Sequence, residues 1–111
     1  MKNYILLLAL SIFLLISCSS NERKLIIDDF SKKFTDTLVP QEGRGYGAAV
    51  YEINGEANDT IIIRFNGIEK RYYGSFKYKF NMDYYGGRAV GFEFDPYLAK
   101  KGKIDIKYGI Y

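Results

Sequence analysis

From residue 46 to its end the chain repeats one pattern: apolar residues at every second position, between short sequences that turn the backbone. Side chains of an extended strand point to alternate faces, so this period fits strands with one face in a core and the other in water. Asn54-Gly55 and Asn66-Gly67 are the strongest short hairpin signal, because both residues accept the left-handed conformation of a tight turn. Gly74 reads as a bulge or bend, Gly86-Gly87 breaks the chain again, and Asp95-Pro96 opens a loop. The expected strands are residues 46–53, 60–65, 68–73, 75–81, 89–94 and 103–110. Phe76, Tyr78 and Phe80 share one face, as do Val90, Phe92 and Phe94, and then Ile104, Ile106, Tyr108 and Ile110. The fold class that follows is mainly β, a small antiparallel β-sandwich or barrel of about six strands.

Upstream the character changes. Lys2 precedes an apolar run from Tyr4 to Ile16, interrupted only by Ser11, and Leu15-Ile16-Ser17-Cys18 closes it. A membrane-spanning helix needs about 20 such residues, so a run of 13 fits the core of a secretory signal peptide better. Leu15-Ile16-Ser17-Cys18 resembles the lipobox of bacterial lipoproteins, and all four positions fit. The resemblance implies cleavage before Cys18 and fatty acylation of that residue. It also implies attachment to a membrane of the bacterial envelope, the outer membrane where there are two, with the domain facing the periplasm or the exterior. Cys18 is the only cysteine in the chain, and a lone free thiol has no disulfide partner in an oxidising compartment. The expected organisation is therefore a signal peptide over 1–17, a lipidated tether with a short amphipathic segment over 18–45, and an antiparallel β domain over 46–111. Within the middle segment Ile26, Phe30, Phe34 and Leu38 are spaced four apart, which predicts a helical stripe ending before Pro40.

The mature chain, 94 residues from Cys18, has room for one domain. Its charge is nearly balanced, which argues against a general nucleic-acid binder. The distribution is uneven: residues 22–59 hold 5 basic and 8 acidic side chains, and residues 60–111 hold 10 and 5. The sequence has no histidine, so serine or cysteine triads that rely on one and histidine-ligated zinc are impossible. Paired carboxylates from Glu52, Glu56, Asp59, Asp83, Glu93 and Asp95 remain as the means to a small hydrolase of envelope polysaccharide, and Asp83 with Asp95 as contributors to calcium. Most of these carboxylates sit among turn residues, and the reading is of no catalytic residue, no metal and no cofactor.

Tyrosine is the more informative residue. Tyr72 and Tyr73 are neighbours on an expected strand, so they cannot both enter one core, and Tyr84-Tyr85 poses the same question beside a turn. With Arg88 these are residue types enriched at recognition surfaces. The expected binding face is Tyr72, Tyr73, Tyr84, Tyr85 and Arg88, on a non-catalytic binding or structural module. The expected partners are the membrane, through the lipid on Cys18, and an envelope protein or glycan, with no nucleic acid.

Overall fold

The computed structural model of the protein describes residues 21–111; the expected signal peptide and Cys18 lie outside the described residues. Six antiparallel strands make one strongly bent sheet: β1 (Glu22–Ile27), β2 (Phe34–Leu38), β3 (Ala48–Phe65), β4 (Ile68–Asp83), β5 (Val90–Asp95) and β6 (Gly102–Ile110). The class is the one the alternation predicts.

A long hairpin organises the sheet. β4 pairs along one edge of β3, from Ala48 opposite Asp83 to Phe65 opposite Ile68. The other edge of β3 is divided, with Ala49 to Ala57 bonded to β6 and Ile62 to Phe65 bonded to β5. β1 extends the sheet beyond β6, and β2 extends it beyond β5. Between the two halves the pairing slips from Ala57 to Ile61, and Gly74 on β4 takes a φ of +68°. Such an irregularity bends a strand and increases its twist. The β6 half thus folds over the β5 half, and Phe92 of β5 stacks on Tyr108 of β6 at 4.1 Å between ring centroids.

The seam between the outermost strands is bridged by side chains. Asp36 on β2 accepts a hydrogen bond from the Tyr108 hydroxyl at 2.5 Å and pairs with Arg23 on β1 at 3.5 Å. The sheet is therefore barrel-like and nearly closed. Its core takes the inward positions of each strand, among them Tyr51, Ile53, Ile61, Ile63, Phe65, Val90, Phe92, Phe94, Ile104, Ile106, Tyr108 and Ile110, all buried.

Three local expectations are corrected. Asn54-Gly55 is no turn but continues through the middle of β3, paired on both sides. A Cβ on Gly55 would stand 2.3 Å from the Lys103 carbonyl oxygen and 2.8 Å from the Ile104 Cα, so the glycine serves close approach of two backbones rather than reversal of one. Residues 46–53 and 60–65 thereby join into one strand, and residues 68–73 and 75–81 into another. The expected helical stripe forms β1, a loop and β2 instead. A spacing of four is also a multiple of the strand period: Phe34 and Leu38 share the inner face of β2, whereas Phe30 packs edge-on against Phe94 at 5.2 Å from the loop. The β domain consequently begins at Glu22, not at residue 46.

Candidate functional site

The outward positions of the β1–β6–β3–β4 half form ordered rows, because residues directly opposite one another in a sheet share a face. One row runs Lys24, Lys107, Glu52, Lys79. The next outward row runs Ile26, Asp105, Asn54, Lys77. Between them lie Leu25, Ile106, Ile53 and Tyr78, whose side chains stand on the other face of the sheet, where Ile53 and Ile106 are buried and Tyr78 is 53% exposed, so their backbones form a floor flanked by the two rows. The result is a trough of about 990 Å³ lined by these twelve residues. Beyond the second row lies another recess of about 600 Å³, lined by Gly55, Glu56, Ser75, Phe76 and Lys103 as well as Asn54, Lys77 and Asp105. Crossing four strands about 4.8 Å apart, the trough is about 14 Å long and open at both ends.

Its walls carry four lysines against two carboxylates. Lys79 pairs with Glu52 at 3.7 Å, and Lys107 pairs with Glu22 at 3.6 Å just outside the trough. Lys24 and Lys77 take part in no salt bridge among the described residues, and both are exposed. The site is thus a shallow basic surface with an apolar corner at Ile26, able to hold an extended anionic chain.

The predicted binding residues are dispersed. Tyr72 points inward and shares a 2.6 Å hydrogen bond with the Tyr51 hydroxyl. Tyr73 is 74% exposed on the opposite face, as neighbouring strand residues must be. Eleven positions further along the chain, Tyr84 is buried against Tyr46, and its hydroxyl donates to the Arg88 carbonyl. Tyr85 is 76% exposed, and Arg88 is exposed with it in the loop after β4. The set falls into two groups: Tyr72 and Tyr73 by the bend of the hairpin, and Tyr84, Tyr85 and Arg88 at the end where β4 stops.

No family model and no curated protein matches this chain. Among solved structures, it is similar to a de novo designed double-stranded β-helix (TM-score 0.46, 10% identity, covering 81% of this chain and 97% of that one). It is also similar to the carbohydrate-binding module CBM36 in complex with calcium and xylotriose (TM-score 0.42, 4% identity, 84% and 90% covered). A ruminal GH26 endo-β-1,4-mannanase matches at a TM-score of 0.45 and 16% identity over 68% of this chain and 17% of that one. Likenesses this distant carry no weight for function, and the architecture stands on the strand pairing.

The carboxylates considered for catalysis are engaged elsewhere or scattered. Glu93 and Asp95 both bind Arg64, Asp95 at 3.2 Å, and Lys33 reaches Asp95 at 3.8 Å. These bonds, with Glu69, hold the guanidinium firmly protonated. Asp83 pairs with Ala48 at one end of β4, far along the sheet from Asp95, and among the described residues no group of three acidic side chains gathers for a metal. Alternation along the strands puts Lys77, Lys79, Lys103, Asp105 and Lys107 opposite the apolar faces, but does not by itself join them into a site. That requires the strand order, which sets chain-distant β6 beside β3 and β1 beyond β6.

Proposed function

We propose that the protein is a lipid-anchored, non-catalytic binding module of the bacterial envelope, and that the trough across β1, β6, β3 and β4 holds an extended acidic glycan. The observation that carries this reading is the trough itself, floored by backbone and flanked by Lys24, Lys107, Lys79 and Lys77. A groove open at both ends admits a polymer of any length, and an excess of lysine favours carboxylate or sulfate groups along it. The outer backbone edges of β1 and β4, at the two ends of the trough, and the exposed Asn54 side chain supply hydrogen bonds of the kind sugar hydroxyls require. The lipobox resemblance supports the anchor and the compartment. The hydrolase alternative gains no support from this surface: Glu52 and Asp105 flank the floor, but both are exposed, and a general acid needs burial to keep its proton at neutral pH.

Titration calorimetry of the full-length protein in detergent micelles tests the reading, with a uronic-acid oligosaccharide and its carboxyl-reduced, neutral counterpart as probes. The acidic probe is expected to bind and the neutral one to bind far more weakly. Lys24→Glu with Lys77→Glu is expected to weaken binding about tenfold or more, since each reversal replaces an attraction with a repulsion. Equal affinity for both probes, or no effect of the double reversal, would overturn it.

A further inference from the structure

We propose that the end of the domain from which the chain runs back toward Cys18 seats on the headgroup layer of the anchoring bilayer, with Tyr85, Val39 and Tyr111 at the interface. The proposal rests on the lipid-anchor reading above and adds an orientation to it. Asn21 is three positions after Cys18, and at about 3.6 Å per residue the two lie at most about 11 Å apart. Asn21 itself is fastened to the fold: its carbonyl accepts the Ile110 amide at 3.1 Å, and its side-chain oxygen accepts the Tyr46 hydroxyl at 3.0 Å. That hydroxyl in turn accepts the Gln41 amide at 3.0 Å. The exit point and the loop before β3 are therefore clamped together, and a lipid on Cys18 brings both to the membrane surface.

This end has the chemistry of an interface. Val39 is 67% exposed, Tyr85 76% and Tyr111 48%. Tyrosine with an apolar ring and a polar tip is favoured at headgroup depth. Arg44 and Arg88 are exposed on the same two loops, where guanidinium groups meet lipid phosphates, against one acidic residue, Glu42. The loops are glycine-rich and enclose a recess of about 520 Å³ lined by Pro40, Arg44, Tyr46 and Tyr85, among others. The opposite end, with Tyr97 and Leu98 exposed, lies a β6 length of nine residues away, about 30 Å. Seated in this way, the domain stands on its end and the trough stays clear of the lipid.

The test uses full-length acylated protein in vesicles of phosphatidylglycerol and phosphatidylethanolamine, with one fluorophore at a time on Tyr85→Cys, Ile26→Cys or Leu98→Cys. The quencher is a spin label on the lipid headgroup. All three positions are exposed, and circular dichroism checks that each labelled variant keeps its sheet. Quenching several-fold stronger at position 85 than at positions 26 and 98 supports the proposal. Stronger quenching at 26 means that the domain lies on its trough face, and equal or absent quenching means that it has no fixed seat; either overturns the proposal. Intact mass of the same preparation separates the two readings. An acyl mass with no quenching at 85 defeats the seating alone, and a missing acyl mass defeats the anchor and the seating together.

Discussion

Gly55 shows how one residue type can carry two meanings. In the sequence it completes an Asn-Gly turn signal, and in the fold it lets β3 and β6 cross closely, with a Cβ blocked by main-chain atoms of Lys103 and Ile104. Because backbone cannot swing aside as a side chain can, Gly55→Ala is expected to cost about 1–3 kcal/mol. Gly45→Ala, at a site with nothing within 4 Å, is expected to cost little. Denaturant titration should show a lower midpoint for the first variant at an unchanged slope; matched midpoints would contradict the crossing. The tyrosines divide on similar grounds. Alternation made it legible that Tyr72 and Tyr73 face opposite ways, but nothing local to Tyr84 announced that its ring would be buried beside Tyr46.

At the scale of elements, the strands from residue 89 onward were legible because each has a single apolar face and clear punctuation at its ends. β3 and β4 were read as four pieces because a bulge and two glycines interrupt them, and local signals do not distinguish a bend within a strand from a turn between strands. β1 and β2 were read as a helix because a period of four satisfies both geometries, and only pairing with β6 and β5 decides between them. Asn66-Gly67 is the real hairpin turn, with φ of 48° and 81°. Gly67→Ala is therefore expected to lose about 1–2 kcal/mol, the cost of forcing a side chain into the left-handed region. Asn54→Thr, in the middle of a strand and facing out, is expected to be neutral or stabilising. Thermal unfolding of the two variants checks the assignment, and a larger loss at Asn54 would reverse it.

The molecule as a whole is held by aromatic side chains that join its two halves rather than by any covalent staple. Tyr51 and Tyr108 are fully buried, and their hydroxyls resist ionisation, chiefly through burial and then through their bonds to Tyr72 and Asp36. Unfolded tyrosine loses its proton near pH 10, so above that pH the unfolded chain binds fewer protons than the folded one. Stability should then fall by up to about 1.4 kcal/mol per pH unit for each residue. Denaturation midpoints measured from pH 8 to 11 should be flat at first and then drop, with Tyr51→Phe reducing the drop; a midpoint that rises over that range would contradict the buried pair. The same nearly closed sheet sets the outward rows side by side, and the central claim is that this ordered face is where the protein binds. Amide hydrogen exchange of the full-length protein, with and without the uronic-acid oligosaccharide, tests it most directly. The account predicts added protection together in residues 24–26, 52–54, 77–79 and 105–107, and protection confined to the loops at 40–47 and 84–88, or found nowhere, would contradict it.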